Sequence, residues 1–449
     1  MKWVVVGAGS GGCVAARRLF DAGHTVTLVE AGPPLTPDTA LEEIDGDDSF
    51  APLGLAGRTY GDLIARRTAR GPETQYLRGR GVGGSSAVNV MVALRGDPLL
   101  YDSWGWDRAE TDAAWQRCAI PEEQPAPDEL GRIDRLLLAA EEDATTCPLT
   151  RRGGRRVTSA EAYLWPIAAD SSRFEVITDR SVDRMIFDNL GAATGVLLAD
   201  GGIVDADAVV LSAGAIHSPT ILLRSGVAGA GTGLRDHPAA GLLLELGADS
   251  SMDIDPARRG LVSASIAQRE GIQVLPINHL GQASPNNYAM ILVALMDPRG
   301  PAGSVRLRSD DPTVQPVVEF DLLADRTDLA RLAAGVRGAL QMLDRPPFVD
   351  LIDSVFIDDV GTTADHLDSD ESIIGWLSER GADYVHATGT TAAVLDGGRH
   401  DGAVADHEGL FVCDASAFPA IPNVNTHLPT TMLAERLAVH WPGVAGSLT

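Results

Sequence analysis

The sequence predicts an α/β chain, α+β overall, in two parts: a parallel-sheet domain that opens the chain and a second domain built on an antiparallel sheet. Three observations predict it. Residues 2–30 read as strand, glycine turn, helix and strand; residues 241–320 read as a succession of strands; residues 326–344 read as a long helix beside them. The opening strand, Lys2 to Val6, is β-branched and uninterrupted by polar residues, as a strand buried on both faces requires. Gly7, Gly9 and Gly12 follow in a G-x-G-x-x-G turn, then Val14 to Phe20 at helical spacing, then a strand ending at Val29. Glu30 stands just past that strand, about 20 residues beyond the glycines, where an acid accepts hydrogen bonds from a ribose diol. Gly7 allows the tight turn, Gly9 lets a pyrophosphate approach the backbone, and Gly12 lets helix and strand pack closely. The helix N-terminus then faces the phosphates. The unit predicts dinucleotide binding without saying which dinucleotide.

Composition removes several alternatives. The chain has 449 residues, 45% hydrophobic and 22% charged, in the range of globular proteins with two or three domains. Its net charge of −26 leaves no basic face for nucleic acid or an anionic membrane surface. Lys2 is the only lysine, so no Schiff-base lysine or P-loop clamp is available, although 79–86 superficially resembles such a loop. Cys13, Cys118, Cys147 and Cys413 are scattered without a C-x-x-C pair, which speaks against a metal site or a disulfide framework. The longest apolar run, Ala289 to Met296, is too short to span a membrane, and the first strand leaves no room for a signal peptide. The expectation is a cytoplasmic protein without stable membrane insertion.

After Glu30 comes an acidic, loop-like stretch to about Gly61, then a second glycine cluster from Arg78 to Asn89 that suits a further phosphate contact or a flat ring. Tyr101 to Trp106 is aromatic and marks a boundary, with Trp104 and Trp106 read as packing residues. Pro121 to Pro127 reads as an exposed connection and Gly131 to Asp143 as a helix. Phe174 to Thr178, Val182 to Phe187 and Gly195 to Ala199 alternate like an antiparallel meander. Asp207 to Leu211 is a buried strand turning into a helix at Thr220. Strands then follow at 242–246, 271–278, 288–296, 304–307 and 317–320, all placed in one antiparallel sheet with helices 326–344 and 371–380 on one side. The chain ends in strand 410–413, a loop through His427 and helix 429–440.

Of ten histidines, two stand where chemistry would want them: His386 before a Thr-Gly-Thr turn, and His427 in a loop too rich in Pro and Asn to be helix. Each alone also fits a structural histidine, yet an imidazole near neutral pKa is a natural proton acceptor for an alcohol. Taken with the glycine unit, Arg78 to Asn89, Leu211 to Pro219, Asp236-His-Pro, Ser304 to Pro312, His386 to Thr390 and Val412 to Met432, the chain resembles the glucose–methanol–choline (GMC) flavin oxidoreductases nearly end to end.

The resemblance implies a Rossmann-like FAD-binding domain from residues 1–106, 151–240 and 381–449, and a substrate-binding domain from 107–150 and 241–380. It places Gly7, Gly9, Ser10 and Gly12 at the pyrophosphate, and Glu30 and Ala31 at the adenosine ribose. Arg80, Gly83, Gly84, Ser85, Ser86 and Asn89 would lie along pyrophosphate and flavin, and Val182 at adenine. Ala213, Asp414, Ala415 and Thr426 would approach the ribityl chain and the isoalloxazine. Where some relatives carry a histidine linked to the flavin, this chain has Val88, so the FAD is expected to be non-covalent. His386 matches the first histidine of the family's active pair and His427 the second position, giving His386 as base and His427 as hydrogen-bond partner. His217 and His237 match motifs that look structural, and Cys13 looks like packing.

The implied activity is oxidation of a small-molecule alcohol by hydride transfer to flavin N5, electrons passing to oxygen, a quinone or a redox protein. The trimmed chain resembles the mycofactocin-associated members, which favours a dehydrogenase. Segment 107–150 and the second sheet are shorter than in many relatives, and Ala-Thr follows His386 where Pro-Val is common. Two rivals share the resemblance: a hydroxynitrile-lyase-like enzyme with redox-silent FAD, and a non-enzymatic FAD-stabilised scaffold or redox partner. A nicotinamide dehydrogenase would leave Arg78 to Asn89 without a role.

Overall fold

A computed structural model describes residues 1–44, 50–170, 172–247, 261–281, 287–395 and 401–444. Strand β1 (Lys2–Val6) is buried from Trp3 onward, followed by helix α1 (Ser10–Asp21) and strand β2 (Thr25–Val29). With β3 (Phe174–Ile177), β4 (Ala208–Leu211) and Leu410–Val412 they form a five-stranded parallel sheet, β1 at its centre. Helix α2 (Gly214–Arg224) leaves β4. Because all five strands run one way, their C-terminal ends lie together. Gly7, Glu30, Ser212 and Cys413 therefore meet at one edge, where open α/β sheets bind ligands.

Phe174 to Thr178 is not a meander strand, contrary to expectation. It pairs in parallel with β2, Val26 opposite Phe174, as the sheet's outer strand. Phe174 is buried while Glu175 and Val176 are exposed, and the β-branched composition that marks the strand says nothing of its partner. The antiparallel meander itself is Val182–Phe187, Ala193–Leu198 and Ile203–Asp205.

The second domain is a six-stranded antiparallel sheet. Its centre is β5 (Ala239–Leu246), β6 (Ile272–Ile277) and β7 (Tyr288–Leu295), in the order β5, β7, β6. Ile352–Phe356 flanks β5; Ser265–Arg269 and then Ala144–Thr146 extend beyond β6. Helix α3 (Arg326–Leu343) covers one face, packing so closely that a methyl added at Gly335 would lie 3.2 Å from Val293 and 3.0 Å from Ile272. Period-2 alternation then sends Ala289, Ile291 and Val293 toward α3 and Met290 and Leu292 to the opposite face.

Strands Gly303–Arg306 and Val317–Glu319, expected in this sheet, belong to another. They pair with Thr232–Leu234, Ile64–Arg66 and Glu73–Gln75 in a five-stranded mixed sheet. Periodicity identifies a strand but not its partner. The last helix, α4 (His427–Ala438), begins two residues earlier than the sequence suggested. Pro429 sits at its third position, where the missing N–H has no intrahelical acceptor to lose. His427 is thus the first residue of a helix and not part of a loop. The four cysteine thiols are free, and no helix among the described residues is long and apolar enough to cross a membrane.

Candidate active site

A cavity of about 960 Å³ runs from the C-terminal edge of the parallel sheet to the antiparallel sheet. At its first end, α1 begins at Gly9 with no side-chain cap, so first-turn N–H groups stay available to a ligand. Glycine makes the approach possible: a Cβ at Gly7 would lie 2.4 Å from the Ser212 carbonyl oxygen, and one at Gly12 1.9 Å from the Gly7 carbonyl oxygen. Gly12→Ala is expected to yield colourless protein after purification and FAD reconstitution, measured as flavin absorbance per chain; normal flavin content would refute this packing role.

The second glycine cluster closes on the first. A Cβ at Gly84 would lie 2.8 Å from the Gly9 Cα, and Gly83 N–H donates to the Ala8 carbonyl at 2.9 Å. Glu30 fastens the two: its carboxylate accepts from Ala8 N at 2.8 Å, and from Gly32 N and Gly81 N at 2.9 Å each. Besides facing the cavity where a ribose would sit, it therefore clamps three backbone segments. Asp414 does the same work across the sheet edge, accepting from Gly214 N (2.8 Å), Ser218 Oγ (2.5 Å) and Ser416 N (2.7 Å). Arg80 donates to the Ala31 carbonyl at 2.6 Å, and Asn89 Oδ1 accepts from Arg156 at 2.8 Å.

His386 and His427 line the same cavity. His386 is held through His237. His237 Nε2 lies 2.8 Å from the Pro422 carbonyl, which only accepts, so this nitrogen carries the proton. In neutral His237 the other nitrogen, Nδ1, is then an acceptor, and it lies 2.9 Å from His386 Nδ1. His386 Nδ1–H therefore donates, and its Nε2 keeps a free lone pair, the form a general base needs. Burial lowers the His237 pKa to about 4, which keeps it neutral in this chain of bonds. Burial first, then His237 and the Arg78 guanidinium, hold His386 well below the ordinary histidine value.

The backbone around His386 is strained and pinned. Val385, a β-branched residue, has φ +56°. Buried Asp236 secures both sides of it, accepting from Tyr384 N at 3.2 Å and from His386 N at 2.9 and 2.8 Å. The Tyr76 hydroxyl donates to the same carboxylate at 2.7 Å, and Arg78 donates to the Val385 carbonyl. Asp236, His237 and His386 form the one group among the described residues with metal-ligand spacing. The hydrogen bonds above already engage those atoms.

His427 differs. Its Nδ1 pairs with Ser10 Oγ at 2.9 Å, while its buried Nε2 has no partner among the described residues. Burial, then Arg156, lowers its pKa to about 4. Its place in the first turn of α4 adds the positive end of a helix dipole, suited to negative charge developing on a ligand oxygen.

Of the residues singled out from the sequence, Gly7, Gly9, Ser10, Glu30, Ala31, Arg80, Gly84, Ser85, Ser86, Asn89, Val182, Ala213, Asp414, Ala415, Thr426, His386 and His427 line the cavity. Gly12 and Gly83 do not: both lie behind the cradle, Gly12 against Gly7 and Gly83 at φ +96° in the turn bonded to Ala8. His237, expected to be structural, is hydrogen-bonded to His386, and nothing local marks this contact, since its partner is 149 residues away. The uncapped helix, the touching glycine loops and Glu30 would hold an FAD at one end of the cavity that His386 and His427 line.

Comparisons with known proteins agree. The family model described as GMC oxidoreductase matches residues 1–120 and 138–239 with its N-terminal part and 298–434 with its C-terminal part. The chain is 28% identical to 5-(hydroxymethyl)furfural oxidase of Methylovorus sp. (strain MP688), over 97% of each. It is 24% identical to alcohol dehydrogenase [acceptor] of Pseudomonas putida, over 97% of this chain and 94% of that one. The crystal structure of pyridoxine 4-oxidase from Mesorbium loti shares its fold with a TM-score of 0.83 at 22% identity, covering 98% and 99%.

Proposed function

The chain belongs to the GMC oxidoreductase family and is an FAD-dependent oxidoreductase acting on alcohols; from that premise we propose that His386 is the general base and His427 the hydrogen-bond donor to the substrate oxygen. The observation that carries the assignment is the bond that His386 Nδ1–H donates to His237, which leaves His386 Nε2 without a partner among the described residues. Ser10 Oγ can donate to His427 Nδ1, which puts the proton of His427 on the buried Nε2. His386 then takes the hydroxyl proton at Nε2 while His427 holds the oxygen as it gains negative charge. FAD, when bound, supplies the oxidant by taking the carbinol hydride at N5. Asp236 and the strained Val385 hold the base in place, and the apolar sheet opposite excludes water.

The test is titration of purified holoprotein with a panel of alcohols and sugars, first without oxygen and then in air. Bleaching of the flavin with formation of the matching carbonyl compound supports the reading. A flavin that stays oxidised while substrate is consumed would favour the lyase. Reoxidation in air against reoxidation only by a quinone or redox protein identifies the acceptor. With Val88 where a linking histidine would stand, acid precipitation is expected to leave the yellow colour in the supernatant; colour in the pellet would overturn non-covalent binding.

A further inference from the structure

We infer that the substrate is an uncharged alcohol with an apolar body, such as an alkanol or an unsubstituted aryl alcohol, held against the antiparallel sheet. The inference rests on the alcohol oxidation proposed above. In β6 and β7, Leu275 lies opposite Leu292 and Ile277 opposite Met290. Side chains paired across strands point the same way, so these four form one contiguous patch. It is the face turned away from α3, and all four residues line the cavity that contains His386 and His427. Met91 and Val92 extend it.

The patch lies beside the base. Tyr384 closes against the same sheet, its hydroxyl donating to Gln273 Oε1 at 2.9 Å, and its ring is 4.9 Å from that of His386. A sheet with one face on a core commonly turns polar side chains on the other. Here the part of the second face that lines the cavity is aliphatic: Gln273, on the same face, is buried and turned to Tyr384, and none of the ionised lining residues among the described ones lies on β6 or β7. Asp383, nearest to His386 in the chain, is paired with Arg67 Nε at 2.5 Å. Among the described residues of this wall a cationic alcohol would find no carboxylate, an anionic one no cation and the extra hydroxyls of a sugar no partners; Arg78, beside His386, is bonded to the Leu77 and Val385 carbonyls. Burying such groups unpaired is costly, whereas each methylene laid on the patch is favourable.

The experiment is anaerobic flavin reduction in the holoprotein by the series ethanol, butanol, hexanol and octanol, compared with choline, 6-hydroxyhexanoate and glucose. The dissociation constant from the saturation curve should fall about fourfold per methylene until the patch is filled. The three polar alcohols should reduce the flavin at least about a hundredfold less efficiently than hexanol. Leu292→Ala and Met290→Ala, read on holoprotein with normal flavin content, should flatten the chain-length slope. A flat series in the unaltered protein, meaning the flavin alone covers the patch, would overturn the inference, as would charged or polyhydroxy alcohols matching hexanol. In either case reduction itself would stand as support for alcohol oxidation. No reduction by any alcohol would overturn both.

Discussion

Replacing His386 with alanine is expected to leave the protein yellow and to slow anaerobic flavin reduction by alcohol about 10²- to 10⁴-fold, the usual contribution of a general base. The flavin cradle is built by α1, Glu30 and the second glycine cluster, and His386 takes part in none of those hydrogen bonds. Dithionite should still bleach the variant, separating lost proton transfer from lost cofactor. The same residue fixes the pH dependence. Its pKa is lowered by burial, His237 and Arg78, so the neutral base prevails at pH 7 and protonation comes only on acidification. Protonation of His386 should therefore appear as an acid limb whose midpoint lies below that of an ordinary histidine, about 6.5. A midpoint above that value would contradict the assignment, and so would a His386→Ala variant reduced at the normal rate.

Replacing His237 with leucine is expected to cost about 10²-fold in flavin reduction, the scale on which a misplaced catalytic group loses rate. His237 does not itself line the cavity; it acts by accepting the hydrogen bond from His386 Nδ1–H while donating to the Pro422 carbonyl. Without that acceptor the proton of His386 is free to move to Nε2, and the lone pair no longer faces the alcohol. Glutamine at 237 can still donate to a carbonyl and accept through its amide oxygen, and should recover most of the rate. Flavin content and melting temperature distinguish this from collapse of the site. If leucine and glutamine behave alike at unchanged stability, the histidine-to-histidine bond has no part in setting the tautomer.

The parallel-sheet unit was legible because its chemistry is local. A buried strand, three glycines, a helix and an acid within thirty residues leave few alternatives, and the structure adds only that Glu30 also clamps Ala8, Gly32 and Gly81. His386 and His427 were legible as a pair through family resemblance, not from their own surroundings. What escaped depends on tertiary contact. His237 meets His386 only after the chain folds. His427 reads as loop from sequence because Pro and Asn crowd it, although proline costs nothing in a first turn. The substrate wall was hidden for a different reason. Residues 288–296 are apolar almost throughout, so no alternation shows which face meets α3 and which meets the cavity. Only the packing of α3 decides it.

Anaerobic rapid mixing of the holoprotein with hexanol, unlabelled and deuterated at the carbinol carbon, tests the central claim most directly. Alcohol oxidation at this site predicts that the flavin absorbance bleaches, and bleaches more slowly with the deuterated alcohol because the carbon–hydrogen bond breaks as the flavin is reduced. An absorbance that never changes, or that decays at the same rate with both alcohols and equally in the His386→Ala variant, would contradict it.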